Sequence, residues 1–131
     1  MIPPRRAGVV FRAASGHLAF LPASVVLRVA ALPPISPLVG APPGVLGVVH
    51  ESGDIIAVIE MGPTRGVLMV CAYRGDSIGL LGASDLRAGL FDADPSAFDC
   101  VRHKGERAER FDLAAIYERL GAASWASLSA T

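Results

Sequence analysis

The chain has 131 residues, 12 Lys plus Arg against 12 Asp plus Glu, and a composition that is 52% hydrophobic but only 6% aromatic. That length suits one domain, and the cancelled charge, without a clustered basic face or stacking aromatics, excludes a nucleic-acid footprint. No apolar run approaches the ~18 residues that a membrane helix needs, and Arg12 and His17 interrupt the N-terminal apolar segments, so neither membrane insertion nor a signal-peptide core is expected.

Val9 to Ala14 and Leu18 to Leu21 are short apolar runs split by Ser15-Gly16-His17, the punctuation of a hairpin. Val25 to Ala31 predicts a third strand. Pro33, Pro34, Pro37, Pro42 and Pro43 then deny the chain ladder donors, which makes this segment an extended connection crossing the body of the domain. Val45 to Glu51 and Ile55 to Met61 predict a central hairpin that turns at Ser52-Gly53-Asp54. Its near-continuous apolarity puts parts of both strands under cover on two faces.

Val67 to Tyr73 and Ser77 to Leu81 predict another pair around Arg74-Gly75-Asp76, where glycine supplies the positive φ of a tight turn. Beyond Gly82 the pattern weakens, and residues 82–107 support only a strand near Phe98 to Arg102. Asp112 caps a predicted helix over Leu113 to Leu120, in which Leu113, Ile116, Tyr117 and Leu120 share one face. Gly121 sits where a left-handed stop belongs. Residues 121–131 read as a small, Ser-rich, flexible tail, although Trp125 prefers some apolar surface.

The segment GVLGVVHESGDIIAVIEMG, from Gly44 to Gly62, resembles the central hairpin of the CheW-like adaptor family, which usually reads G-V-x-N-L-R-G-x-I-x-P-V-I-D-L. Gly47, Val48, Val49, Gly53, Ile55, Val58 and Ile59 keep the framework. His50, Glu51 and Ser52 replace the Asn-Leu-Arg triplet, and Glu60-Met61 replaces Asp-Leu. The likeness extends from about Val9 to Leu120: Val26, Arg28 and Val29 fall on the family's V-x-E-I element, SIGLLGASDL on its G-L-x-V-D-x-V strand, and FDLAAIYERL on its closing helix.

What the resemblance implies is a mainly β domain of two small SH3-like five-stranded barrels on a shared apolar core, with a short C-terminal helix and no catalytic site. The chain is short for that plan within residues 82–107, which leaves the second barrel abbreviated or open. Family members link a CheA-type histidine kinase to the helical tip of a chemoreceptor, so the implied partners are such a kinase, a chemoreceptor-like helical protein, or another signalling or cell-polarity scaffold. No cofactor is implied.

Gly75-Asp76-Ser77-Ile78-Gly79 spells the G-x-S-x-G of a nucleophile elbow, but the elbow needs a strand-to-helix turn. A strand is predicted after Ser77 instead, so the pattern reads as a hairpin turn. His17, His50 and His103 with Cys71 and Cys100 lack any metal-ligand spacing. The two isolated cysteines need no disulfide framework in a chain of this size and read as cytoplasmic thiols. GAPPGVLG lacks the residues of a phosphate loop.

Residues 1–50 carry Arg5, Arg6, Arg12 and Arg28 with no carboxylate, an asymmetry that can orient a charged partner. Arg28, His50, Glu51, Ser52 and Glu60 are the candidate partner-binding residues, by their positions in the matched motifs and by chemistry suited to charge-assisted contacts. Two rival readings stay open: a structural module that self-associates through its sheet edges, and a small serine hydrolase centred on Ser77.

Overall fold

The computed structural model describes residues 4–122 apart from Pro42, Ser52 and Phe98. The chain begins with the predicted hairpin, β1 (Arg5–Arg12) and β2 (Leu18–Pro22), and then leaves it for β3 (Val26–Ala31). The central hairpin is β4 (Val45–Glu51) with β5 (Asp54–Glu60), and the next pair is β6 (Val67–Tyr73) with β7 (Asp76–Leu81). Three further strands follow, β8 (Ser84–Ala93), β9 (Val101–His103) and β10 (Glu106–Arg110), before helix α1 (Leu113–Ala122).

Strands from the two ends of the chain close a barrel in the order β1-β2-β10-β9-β8, while the middle of the chain forms a five-stranded sheet ordered β3-β6-β7-β5-β4. β2 with β10 and β5 with β7 run parallel, and the other pairs run antiparallel. The expectation for residues 82–107 is corrected here. They supply β8, β9 and the start of β10, and they close the barrel rather than leave it open. The predicted strand near Phe98 to Arg102 is β9, shifted to Val101–His103, and Phe98 lies outside the described residues.

The sheet built from the middle of the chain is the one whose ends do not meet in a ladder. The proline-rich connection bridges the gap: Ser36 donates to the Val48 carbonyl at 2.8 Å and accepts from the Val48 amide at 2.9 Å. This approach needs Gly47, which sits at a β-bulge with φ 153 and whose added Cβ would fall 2.3 Å from the Ser36 carbonyl oxygen.

Two hairpins end in two-residue turns of the type whose twist matches that of paired strands. Arg74-Gly75 adopts φ 51 and 82 between Tyr73 and Asp76, and Lys104-Gly105 adopts φ 51 and 78 between His103 and Glu106. Asp76, read as part of the turn in sequence, begins β7.

Three apolar clusters result. Val10, Leu18, Phe20, Phe91, Val101 and Ala108 fill the barrel, with Phe20 and Phe91 edge to face at 6.3 Å. Val49, Ile56, Val58, Leu68, Val70 and Leu81 line the inner face of the sheet, where Leu32 and Ile35 of the connection cover them. Between the two bodies lies a shared core, in which Val9, Phe11 and Leu21 of the barrel meet Ile59, Met69, Cys71 and Leu80 of the sheet and Leu113 and Ile116 of α1. Each fully buried aliphatic or aromatic side chain contributes about 1.5–3 kcal/mol.

α1 is seated as its sequence predicts. The Asp112 carboxylate accepts from the Ala115 amide at 3.0 Å, and Leu113 and Ile116 are buried. The helix continues through Gly121 to Ala122 instead of stopping there. The tail beyond it, with Trp125, lies outside the described residues.

Candidate functional site

The sequence-predicted partner residues lie at three separate places on the sheet. Arg28 is half-buried on β3, opposite Val70, and shares that strand's inward-turned face with Ala30. His50 is exposed near the end of β4, opposite Ile55, and Glu51 follows at the register position opposite Asp54. Ser52 lies outside the described residues. Glu60 closes the far end of β5 and pairs with Arg65. Asp54 and Glu60 are six steps apart along β5, which is about 20 Å at the usual rise. β3 and β4 are opposite margins of the sheet. Arg28, His50 and Glu60 therefore do not converge on a single pocket.

What the structure does concentrate is apolar exposure. Among the described residues the large exposed hydrophobics are Leu27, Val29, Leu38, Val39, Ile55, Val67 and Leu90, and all but Leu90 belong to the sheet or its proline-rich connection. Leu27 is 52% exposed, Ile55 is 62% exposed, and Val39 is fully open to solvent. Apolar exposure that is grouped, as at Leu27, Val29 and Val67 on β3 and the start of β6, marks an interaction surface more often than scattered single residues do.

Register explains why part of this surface faces outward. Val29 stands opposite Met69 and Ala31 opposite Val67, and directly opposed residues share a face. Val29 and Val67 therefore lie on the same face as buried Met69, the face turned toward the shared core, at a margin where the barrel no longer covers it. Leu27 is the extra residue of the β-bulge between Val26 and Arg28.

One signal for this surface was present in the chain. From Val29 to Val49 there is no charged side chain, although this stretch includes an exposed connection.

Most of the ion pairs lie on the other body, although Glu60–Arg65 belongs to the sheet. Arg5–Asp92, Arg6–Asp99, Arg12–Glu106, Arg102–Asp94, Arg107–Glu109 and Arg110–Asp99 are all ion pairs of the barrel or of the loop between β8 and β9. At the join between α1 and the sheet, the Tyr117 hydroxyl donates to Asp76 at 2.7 Å and its ring lies edge-on to Tyr73 at 5.0 Å. The hydrogen bond to Asp76, aided by partial desolvation, raises the Tyr117 pKa above its ordinary value.

The G-x-S-x-G pattern has strand on both sides. Ser77 lies within β7, half-buried and opposite Ala72, where the elbow geometry would require a helix to begin. Cys71 is buried in the shared core, and desolvation pushes its thiol up to about 12, far from the thiolate that covalent chemistry needs. Cys100 is half-buried.

No protein-family model and no curated protein matches the sequence. Among solved structures the chain is similar to the scaffolding protein TtCheW from Thermoanaerobacter tengcongensis, with a TM-score of 0.62 and 15% identity over 79% of this chain and 86% of that one. At such identity the likeness is one of fold, and it agrees with the strand order described above. The chain has a CheW-like fold with two SH3-like subdomains, one a closed barrel and the other a five-stranded sheet completed by its proline-rich connection.

Proposed function

We propose that this protein is a non-enzymatic signalling adaptor of the cytoplasm, which binds a partner protein on the apolar margin of its sheet. The observation that carries the reading is the exposure of Leu27, Val29 and Val67, which lie together on β3 and the adjoining start of β6. Its likeness in fold to a scaffolding protein supports the same reading. The partner is the regulatory domain of a CheA-type histidine kinase, a chemoreceptor-like helical protein, or a related signalling scaffold. Burial of the apolar margin supplies affinity, and Arg28, His50, Glu51, Ser52 and Glu60, distributed around it, supply selectivity.

Affinity capture from the native cytosol tests this. The wild-type protein is expected to recover a histidine kinase, a chemoreceptor or a signalling scaffold. The Leu27→Ser/Val29→Ser variant should bind that partner at least about tenfold more weakly, and His50→Ala and Arg28→Ala should weaken it to a lesser degree with the fold intact. Recovery of no signalling protein would remove the function, and undiminished binding by the folded double variant would remove the surface.

A second reading has one observation behind it. Among the described residues β3 is paired on one side only, by β6, and an exposed apolar margin strand is a template for pairing with another copy. Light scattering at micromolar concentration separates the two, since stable self-association without a partner favours the second.

A further inference from the structure

We propose that the mouth of the closed barrel, beside the β9–β10 turn, is a docking site for an acidic segment of a protein partner; this rests on the adaptor reading for its need of a protein partner, and places the contact away from the apolar margin. The mouth is a hollow of about 270 Å3 between the end of β1, the start of β8 and the β9–β10 turn. Leu18 lies within it and belongs to the barrel's buried cluster, so the hollow has an apolar floor beneath a charged rim.

The rim carries three permanent cations, Arg12, Arg87 and Lys104, and two carboxylates, Asp85 and Glu106. Arg12 is committed to the barrel itself. Its Nη1 donates to the Gly16 carbonyl at 2.9 Å and to Glu106 at 3.0 Å, its Nη2 donates to the other Glu106 oxygen at 2.6 Å, and its Nε lies 3.8 Å from Asp85. This fork joins β1, β8 and β10, and it engages both carboxylates of the hollow.

Arg87 and Lys104 are left over. Arg87 donates to the carbonyl of its own neighbour Leu86 at 2.9 Å, and Lys104 has no ion pair among the described residues. His103, whose ring lies edge-on to Phe91 at 5.4 Å, lines the same rim. A rim whose carboxylates are already satisfied while its outer cations are not is complementary to an incoming anion.

The apolar floor chooses among anions. Inorganic phosphate has nothing to place against Leu18, whereas a peptide offers carboxylates to Arg87 and Lys104 and an aliphatic side chain to the floor.

The test uses the full chain and a labelled peptide of glutamates flanking a central leucine, with a glutamine counterpart and pyrophosphate as comparisons. The acidic peptide should bind about tenfold or more tightly than the glutamine one, weaken as ionic strength rises from about 0.05 M to about 0.3 M, and move the NMR signals of Leu18, Arg87 and Lys104. Arg87→Glu should reduce its affinity about tenfold. Lys104→Asn, which removes the charge but keeps a residue tolerant of the left-handed turn, should reduce it in the same direction.

Equal binding of the two peptides, unchanged affinity in both variants, or signal changes confined to other regions would overturn the proposal. So would tight pyrophosphate binding with no response at Leu18, because that describes a simple phosphate site. If the peptide fails while signalling proteins are still captured in a Leu27- and Val29-dependent way, the mouth is refuted and the adaptor reading stands. If the peptide binds but nothing is captured, the adaptor reading fails instead.

Discussion

Asp94 keeps its charge although its side chain is wholly removed from water. One carboxylate oxygen accepts from the Ser96 hydroxyl at 2.7 Å and from the Ser96 amide at 2.9 Å, while the other makes no hydrogen bond and has Arg102 Nε at 3.5 Å. The Ser96 hydrogen bonds, helped by Arg102 and Arg107 and opposed by burial, hold the pKa below its ordinary value of 3.8. A depressed folded pKa means that the unfolded chain takes up the proton first as pH falls. The stabilisation from Asp94 is therefore present above the ordinary value and is lost as pH drops through the lower folded value. Asp94→Asn should flatten the acid limb of stability against pH, measured by urea unfolding at steps from pH 5 downwards. An acid limb of unchanged slope would show that other carboxylates govern it. None of this was visible in the run DADPSAFDC, because burial of one aspartate among several is a property of the packed loop.

At the scale of elements, the join between the two bodies depends on two glycines. β5 leads into Gly62 and β7 into Gly82, and these backbones touch: a Cβ on Gly82, at φ 111, would lie 2.3 Å from both the amide nitrogen and the carbonyl oxygen of Gly62. The Met61 amide donates to the Leu81 carbonyl at 2.6 Å beside this contact, and the Ala14 amide donates to the Met61 carbonyl at 2.8 Å, bringing the β1–β2 connection into the same junction. Gly82→Ala should cost about 3 kcal/mol by forcing backbone apart in a close-packed place, read as a lower denaturation midpoint at constant slope. Stability within about 0.5 kcal/mol of wild type would mean that the junction yields freely.

The same scale shows what could be read in advance. The hairpins β1–β2, β4–β5 and β6–β7 and the Asp112 cap were legible because each depends on a local alternation, turn or hydrogen bond. β8 was not, because it presents Asp85, Arg87 and Asp92 outward and carries Gly89, and its strand character comes from pairing with β1 and β9. Gly121 was misread for a related reason: a glycine permits a helix stop without imposing one.

For the whole molecule, the shared core ties the barrel to the sheet. Met69 is fully buried there, among residues from both bodies and from α1. Met69→Ala should cost about 3 kcal/mol and should lower the unfolding midpoint of barrel and sheet together, followed through the amide signals of Val101 and Leu68. Two separated transitions would show that the bodies unfold independently. By itself the sequence determined a mainly β domain, its hairpins, its capped helix and the resemblance to CheW-like adaptors, because strand alternation and turn chemistry act between near neighbours. Only the tertiary structure decided which strands close the barrel, that the proline-rich connection completes the sheet, and that apolar exposure gathers on one half of the molecule and Arg87 and Lys104 at the barrel mouth. Those outcomes depend on pairings between residues distant in the chain, whose partners no local pattern names.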